Sequence, residues 1–390
     1  MSQKVIDVVV VGAGMAGASV AAELAKDHSV LLVERESAPG IHATGRSAAS
    51  YIPSYRAHDN ALRALTQASR SFFDEPPAGF CSHPLLKQRG LLTLLGPSNP
   101  EDAEEERNKL NAVLSSPIEK LTTEVVKERL PALSAPWQGP AWWEADVHDI
   151  DVHALHQGYL RSLQKNGGQL KTSKNVSAKY LNGRWQVTAE NLAISASILV
   201  NAAGAWADNF AESCGVSALG LTPKRRTAIL VNPPVGHDID NWPLVLAYDE
   251  SFYFKPDAGF LLVSPADEHP SAPCDAQPEE IDKAYAAEFA IQALDGLTLT
   301  NIPHSWAGLR TFATDGSPVI GFDTLAPGFF WCAGQGGHGI QIAPAAAQLS
   351  ASLIRDRRPL SSIGGVPFNS NWVSPQRFAV LNNLAMAQQQ

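Results

Sequence analysis

The 390-residue sequence predicts a two-domain protein of the α/β (α+β) class, in which a parallel-sheet domain is interrupted by an antiparallel-sheet domain. Three observations predict this arrangement. An apolar segment at 8–11 enters a glycine-rich turn at 12–17. A second apolar segment that leads into a glycine-rich turn lies far along the chain, at 329–339. From about residue 220 to 310, short apolar runs separated by polar turns indicate an antiparallel sheet.

Composition narrows the classes of function. Hydrophobic residues make up 45% of the chain, enough to build substantial cores, and a net charge of -9 without a basic run argues against a nucleic-acid partner. No run of about 18 apolar residues occurs, so we expect no transmembrane segment. Cys81, Cys214, Cys274 and Cys332 are too widely spaced to indicate a metal site. Scattered thiols favour a cytoplasmic location, with attachment to a membrane surface left open.

The first predicted element is the strand at 8–11, which ends in a Gly-x-Gly-x-x-Gly turn. This spacing is typical of a Rossmann-like dinucleotide-binding unit, although small residues can also serve packing alone. Gly12 would make the tight turn, Gly14 would admit a pyrophosphate, and Gly17 would let helix and strand pack closely. A second strand at 29–33 ends at Glu34, where a carboxylate can accept hydrogen bonds from ribose hydroxyls. Arg35 either neighbours the nucleotide or is a solvated charge at the strand end.

The remaining elements follow from apolar periodicity and turn residues. Helices are predicted over 18–26, 59–74, 101–114, 122–130, 153–165, 278–294 and 343–354. Strands are predicted over 91–95, 184–189, 194–200, 226–232, 244–247, 252–255, 259–263, 297–300 and 329–333. We assign the nucleotide domain to 1–55, 145–215 and 311–365, the substrate domain to 56–144 and 216–310, and a polar, fraying C-terminal tail to 366–390.

Glycine-rich segments at both ends of some 330 residues suit an extended cofactor such as FAD better than a nicotinamide cofactor. With the Gly-x-Gly-x-x-Gly turn and Glu34, four further motifs carry a resemblance: 44–49, 200–206, 308–321 and 334–340. Together they resemble the D-amino acid oxidase, glycine oxidase and sarcosine oxidase (DAO) superfamily of FAD-dependent oxidoreductases. Segments 72–81, 155–160, 223–226 and 251–259 are similar to the FAD-dependent D-arginine dehydrogenases within it.

The resemblance implies an FAD-binding domain covered by an antiparallel substrate domain. It implies oxidation of a D-amino acid to the imino acid, then to 2-oxo acid and ammonia, by hydride transfer to flavin N5. A quinone, a dye or oxygen would accept the electrons. The alternatives are oxidation of an N-methyl or cyclic secondary amine, oxidation of a 2-hydroxy acid, and a flavin-binding protein without catalysis. Because Cys332 is expected on a buried strand and the other cysteines are not beside flavin motifs, we expect FAD to be held non-covalently.

The resemblance also assigns residues. The catalytic set is Tyr55, Arg226, Tyr253, Arg310 and Gly337. The cofactor set is Gly12, Gly14, Ala16, Gly17, Glu34, Arg35, Thr44, Gly45, Arg46, Ser47, Ala48, Ala49, Ser50, Val176, Ala203, Gly204, Trp206, Gly336, His338, Gly339, Ile340 and Gln341.

Four of the five catalytic assignments have a structural alternative. Arg310 matches the arginine that binds the substrate carboxylate, or it forms a structural salt bridge. Arg226 matches a second such arginine, but a basic cluster is also common on a solvated face. Tyr253 would face the flavin cavity and bond the carboxylate, and Tyr55 matches a lid-loop tyrosine; either ring can instead be ordinary packing. His338 is interpreted as a loop residue whose backbone matters and whose imidazole would tune the flavin, in preference to a catalytic histidine.

Two departures bear on specificity. Leu91 stands where the D-arginine dehydrogenases are expected to carry an acid, and Ser50 stands where they carry a histidine. A buried guanidinium without a partner is costly, so these changes predict a preference for neutral or apolar D-amino acids, or for a bulkier secondary amine, over D-arginine. No general base is evident, so we expect the amine to bind neutral or to lose its proton to water.

Overall fold

The structure is a computed structural model that describes residues 4–96 and 101–378. Within them, the strands β1 to β22 are Lys4–Val11, Val30–Val33, Ser50–Tyr51, Leu86–Gln88, Leu91–Leu94, Glu119–Leu121, Ala141–Glu144, His148–Ile150, Gln169–Lys171, Ser177–Leu181, Arg184–Ala189, Leu192–Asn201, Thr222–Val231, Leu244–Ala247, Tyr253–Asp257, Phe260–Ser264, His269–Pro270, His304–Phe312, Val319–Phe322, Phe329–Ala333, Ser362–Ile363 and Val366–Pro367. The helices α1 to α8 are Met15–Leu24, Asn60–Asp74, Ala103–Asn111, Thr123–Arg129, Val152–Lys165, Ala207–Ser213, Glu280–Ala293 and Ala343–Asp356.

The first sheet has the order β10-β11-β12-β1-β2-β9, with β20 joined to β12 and β19 to β20. Its centre is parallel, since β1 pairs in parallel with both β12 and β2. Both of its faces are covered: α1 packs against α5 and α8, and the fully buried rings of Trp185 and Trp331 fill the other side. A parallel strand covered on both faces needs apolar residues at successive positions, which explains why Val8, Val9 and Val10 are all buried.

The second sheet has the order β17-β13-β16-β15-β14-β5-β7-β6, with β18 joined to β13. Its pairings are antiparallel except that β14 runs parallel to β5, with Leu244 opposite Leu91. The sequence predicted an antiparallel sheet, and this one pair differs from that prediction. Strands β5 and β14 lie about 150 residues apart in the chain, so no hairpin connects them and no turn forces them to run antiparallel. Phe252 and Phe254 stack beneath α7 in the core of this sheet.

Smaller elements link the two sheets. One of them is a three-stranded sheet with the order β3-β8-β4. Its strands β3 and β4 fall in the sequence between β2 of the first sheet and β5 of the second, and β8 falls between β7 and β9. Helix α2 packs against α8, and its buried face belongs to the core of the first sheet. Asp59 caps α2 by accepting hydrogen bonds from the backbone N–H groups of Ala61 and Leu62, which explains where the helix begins.

Two expectations about the elements are wrong. The predicted strand at 297–300 is irregular chain, and its Leu297 and Leu299 pack into the second core without a strand partner. The predicted polar tail packs as far as residue 378, because Phe368 and Val373 are buried and Val373 accepts a hydrogen bond from the N–H of Ile320 at 2.8 Å. The rest of that tail, 379–390, lies outside the described residues.

In the part of the chain that the structure describes, no helix has the length and apolar character needed to cross a membrane.

Candidate active site

A cavity of about 520 Å³ lies where the carboxyl ends of β1, β2 and β12 meet the second sheet. That volume falls within the range of small-molecule and cofactor sites. Most of the predicted site residues line it: Gly12, Gly14, Ala16, Glu34, Arg35, Thr44, Arg46, Ser47, Ala48, Ala49, Ser50, Tyr55, Val176, Ala203, Gly204, Trp206, Arg226, Tyr253, Arg310, Gly336, Gly337, Gly339, Ile340 and Gln341.

Three predicted residues stand behind the cavity wall: Gly17, Gly45 and His338. A Cβ on Gly17 would lie 1.8 Å from the carbonyl oxygen of Gly12, so this glycine keeps α1 close to the turn, as its position in the motif predicts. Gly45 closes a local turn, in which its N–H donates to the carbonyl of Gly40 at 2.7 Å. These residues support the lining without forming it.

One end of the cavity, which we call the glycine-turn end, is built by Gly12, Gly14, Glu34, Thr44 and Arg46. The Oε2 atom of Glu34 accepts a hydrogen bond from the N–H of Ala13 at 2.7 Å, so the carboxylate is oriented at the turn. The Oγ1 atom of Thr44 accepts from the N–H of Met15 at 2.9 Å. The N-cap residue Gly14 has no side chain of its own to cap α1, and Gly14, Met15 and Ala16 line the cavity, so the positive N-terminal end of the helix faces it.

Two arginines near this end are already engaged with the protein. Arg46 donates through Nη1 to the carbonyls of Ala276 at 2.8 Å and Ala307 at 2.9 Å. Because Ala307 lies on β18, these bonds connect motif 44–49 to the second sheet. Arg35 lies 4.2 Å from the ring centroid of Trp206 and pairs with Glu36. Their guanidinium groups are fixed by these contacts rather than held free for a ligand.

The other end, which we call the arginine end, is built by Tyr55, Arg226, Tyr253, Arg310 and Gly337. Burial alone would lower the pKa of Arg310, but the neighbouring oxygens of Tyr55, Tyr253 and Glu268 outweigh it and raise the pKa. Burial raises the pKa of Tyr253, and the charges of Arg310 and Arg226 more than reverse that effect. The arginine end therefore carries a strongly positive field.

The two arginines of this end differ in their partners. Arg226 donates through Nη2 to Glu268 at 2.9 Å, and Glu268 also pairs with Lys224. Arg310, in contrast, has no carboxylate within 4.0 Å among the described residues. A Cβ on Gly337 would lie 3.0 Å from the Arg310 side chain, so the glycine gives the guanidinium its room. Arg310 is thus the cation of this end that is left for an anionic ligand.

His338 lies beneath this end and is 1% exposed. Its ring stacks on Tyr55 with centroids 4.5 Å apart, and its Nδ1 atom lies 3.1 Å from the carbonyl of Gly336. Burial, with the charges of Arg56 and Arg310, lowers the pKa of His338 to about 4. The imidazole is therefore neutral at ordinary pH and supports Tyr55.

Some lining residues were not predicted. Ile52, Leu244 and Leu246 form an apolar wall at the arginine end, with Leu91 buried behind it. Glu250, which is exposed, stands at the rim, so an acid is present near the cavity although Leu91 is not one. These residues come from short strands and a turn, and only the pairing of β14 with β5 and β15 brings them to the cavity.

Two cysteines, Cys274 and Cys332, line the cavity, so Cys274 lies at the predicted flavin site although no flavin motif is beside it in the sequence. Cys274 is exposed at the rim. Cys332 is buried, and burial raises the pKa of its thiol to about 12, so it is a poor nucleophile.

The lining also fits an extended polar cofactor such as FAD. Four buried polar atoms on cavity residues have no hydrogen-bond partner among the described residues: His42 Nδ1, Ser50 Oγ, Arg226 Nε and Thr311 Oγ1. Buried polar groups are nearly always paired, so these atoms indicate a ligand. A Cβ on Gly12 would lie 2.4 Å from the carbonyl of Ala202, so only a bare backbone fits between the turn and β12.

Comparison with known proteins agrees with this geometry. The family model described as FAD dependent oxidoreductase (DAO) matches residues 7–353. Over 375 residues the chain is 27% identical to a glycine oxidase from Pseudomonas aeruginosa, a match that covers 90% of this chain and 96% of that protein. A 28% identical match to FAD-dependent oxidoreductase domain-containing protein 1 from Xenopus laevis covers 43% of this chain and 36% of that protein.

A solved structure has the same fold. L-proline dehydrogenase from P. horikoshii superposes with a TM-score of 0.82 at 21% identity, covering 97% of this chain and 98% of that one. At 21% sequence identity, this similarity shows that the two proteins share a fold and shows nothing about activity.

Proposed function

The chain belongs to the DAO family of FAD-dependent oxidoreductases, and from this premise we propose that it oxidises D-amino acids, favouring neutral or apolar side chains over D-arginine. The product is the imino acid, which water converts to the 2-oxo acid and ammonia. Bound FAD, held without a covalent link, supplies the acceptor for the two electrons. A quinone, a dye or oxygen then takes those electrons from the protein.

The observation that carries the proposal is Arg310, an arginine of the cavity wall without a carboxylate partner among the described residues. A guanidinium binds a carboxylate through two parallel hydrogen bonds, so it fixes the orientation of a substrate as well as its charge. The hydroxyls of Tyr55 and Tyr253 stand beside it as further donors. With the carboxylate held there, the Cα–H bond of the substrate is confined to one orientation.

The apolar wall of Ile52, Leu244 and Leu246 supports the preference for neutral side chains. Hydrocarbon side chains gain about 25 cal/mol per Å² on leaving water for such a wall, whereas a guanidinium there lacks a partner. Burial and a pKa lowered to about 4 make His338 a weak proton acceptor, which supports a substrate amine that arrives uncharged or gives its proton to water. We therefore expect kcat/KM to rise with pH through the ionisation of the substrate amine.

The experiment is anaerobic reduction of the purified yellow protein by a panel of D- and L-amino acids, glycine, D- and L-proline, sarcosine and 2-hydroxy acids. Bleaching of the flavin absorbance by D-leucine or D-phenylalanine, and not by the L-enantiomers, supports the proposal. Admission of air then separates an oxidase, whose colour returns quickly, from a dehydrogenase. Bleaching by 2-hydroxy acids alone, or by no compound of the panel, would contradict the proposed oxidation of D-amino acids.

A second candidate is oxidation of glycine or a cyclic secondary amine. It is favoured by the similarity to glycine oxidase over 90% of this chain and by the shared fold with L-proline dehydrogenase. Faster bleaching by glycine or proline than by any D-amino acid with a larger side chain would favour this candidate.

A further inference from the structure

Glu144, at the end of β7, is a buried carboxyl group that the proposed chemistry does not use. It is 3% exposed and lies directly across from Leu91 of β5, so both side chains share one face of the second sheet. No cation lies within 4.0 Å of it in the described ranges 4–96 and 101–378. Within that part of the chain its hydrogen bonds all come from one residue: the backbone N–H of Ser54 donates to Oε1 at 3.0 Å, and the Ser54 hydroxyl donates to Oε2.

Ser54 belongs to loop 52–56, which crosses the arginine end of the cavity. The next residue, Tyr55, stacks on His338 and lies beside Arg310. At the start of the loop, the N–H of Ile52 donates to Oε1 of Gln341 at 3.1 Å. Gln341 belongs to the glycine-rich segment between β20 of the first sheet and α8, so Glu144 anchors the loop on the second sheet and Gln341 anchors it on the segment that follows the first sheet.

We propose that Glu144 is a positioning residue that fastens loop 52–56 over the cavity and so holds Tyr55 against Arg310. Without this anchor, the loop keeps the contacts of Ile52 to Gln341 and of Arg56 to the carbonyl of Gly316 at 3.3 Å but loses its tie to β7, and the Tyr55 ring loses its fixed place beside the guanidinium. The proposal rests on the proposed function only in taking Arg310 as the group that receives the substrate carboxylate.

The chemistry of the site indicates which substitution should imitate Glu144. Burial raises the pKa of Glu144 to about 7, and the charge of Asp146 acts in the same direction. At neutral pH much of the group is therefore an uncharged acid, with one oxygen that accepts from the Ser54 N–H. A glutamine amide keeps that acceptor and adds a donor that the Ser54 oxygen can accept, whereas alanine keeps neither.

The experiment is limited trypsin digestion of the FAD-loaded protein, in which the rate of cleavage after Arg56 reports opening of the loop. Loss of the anchor removes two hydrogen bonds, so cleavage after Arg56 in Glu144→Ala should be about tenfold faster than in the wild type. Glu144→Gln should stay close to the wild type. Glu119→Ala, which removes an exposed acid from β6 in the same sheet, is the matched control and should leave the rate unchanged.

A second variant keeps the test decisive if Glu144→Ala does not fold. Ser54→Ala removes the hydroxyl donor from the loop side and leaves the second sheet intact, so its cleavage rate should rise, and less than in Glu144→Ala. If both variants fold, the double variant should be no faster than Glu144→Ala, because each change removes the same interaction.

Turnover gives an independent readout. For whichever substrate reduces the flavin, Glu144→Ala should raise KM about tenfold and change kcat little, since the reacting groups stay in place. Equal cleavage of the alanine and glutamine variants, or a loss of kcat with KM unchanged, would overturn the inference. Digestion needs no turnover, so a failed substrate panel with the predicted cleavage pattern would count against the proposed function and leave the inference standing.

Discussion

The two ends of the cavity are held in opposite ways. At the glycine-turn end the polar side chains already bond to the protein: Glu34 to the N–H of Ala13, Thr44 to the N–H of Met15, and Arg46 to two carbonyls. At the arginine end, Arg226 bonds to Glu268 through Nη2, but its Nε atom is buried without a hydrogen bond and Arg310 has no carboxylate partner, in both cases among the described residues.

The difference indicates that the two ends do different work. Groups that are satisfied before a ligand arrives fix the shape of the turn, so their loss should reduce folding and FAD content. Groups that are left unsatisfied cost stability in the free protein and recover it only with a ligand. Their loss should reduce turnover and spare the fold.

The largest expected effect tests the glycine-turn end. In Gly17→Val, a side chain would have to occupy space 1.8 Å from the carbonyl of Gly12, which backbone atoms cannot vacate. We expect soluble yellow protein to be lost, measured as FAD absorbance per purified chain. Gly139→Val, at a glycine with open space around it and no positive φ, is the control. Normal FAD content in Gly17→Val would contradict the packing argument.

The substitution Arg310→Met should show most clearly that the arginine end serves turnover and the glycine-turn end serves folding and FAD binding. Removing one partner of a buried charge pair costs about 4 kcal/mol, so kcat/KM for an amino-acid substrate should fall about a thousandfold. FAD content and the free energy of unfolding should stay near those of the wild type, because the guanidinium has no carboxylate partner to lose. Arg355→Met, on the outer face of α8, serves as control. Unfolding of Arg310→Met would mean that the arginine is structural.

Glu144 makes the stability of the molecule depend on pH. Its pKa is raised from 4.5 to about 7 in the folded chain, so between those values the unfolded chain ionises while the folded chain keeps the proton. Stability from this group therefore falls as pH rises from 4.5 to above 7, by about 3 kcal/mol. Relative to the wild type, Glu144→Gln should gain that amount between pH 4.5 and 8, measured by urea unfolding. A constant difference across this range would show that the carboxyl titrates normally.

The smallest effect concerns the choice of side chain. We expect kcat/KM for D-leucine to exceed that for D-arginine about tenfold, because the wall is apolar while Glu250 at the rim offsets part of the penalty. Glu250→Gln should widen the ratio. A preference for D-arginine that disappears in Glu250→Gln would assign specificity to the rim instead of the wall.

Features carried by neighbouring residues were predictable from the sequence. The strand at 8–11, the glycine turn and Glu34 lie within one unit of the chain, and the structure places Gly12, Gly14 and Glu34 on the cavity. The gathering of Arg226, Tyr253 and Arg310 at one end agrees with the resemblance, though their chemical roles stay predictions.

Features that depend on distant pairing were not predictable. Glu144 gains meaning only through Ser54, 90 residues away in the chain, and nothing in its local sequence marks it. The strand predicted at 297–300 failed because its apolar residues pack from irregular chain, and alternation alone does not distinguish the two cases. The segment 366–378 looked polar because its few apolar residues are spread out, yet those residues are the ones that dock.

The chain order of the first sheet has a consequence for biosynthesis. Its first strand pairs with β12, where Lys4 lies opposite Ile194, and β20 closes the same sheet only at Phe329 to Ala333. Loop 334–341, which completes the cavity, emerges from a ribosome later still. A chain that stops before that point lacks one wall of its cofactor site, and contacts of such long range are slow to form. Capture of the cofactor thus has to wait until loop 334–341 has been made, so a filled site reports that the distant segments of the first sheet have come together.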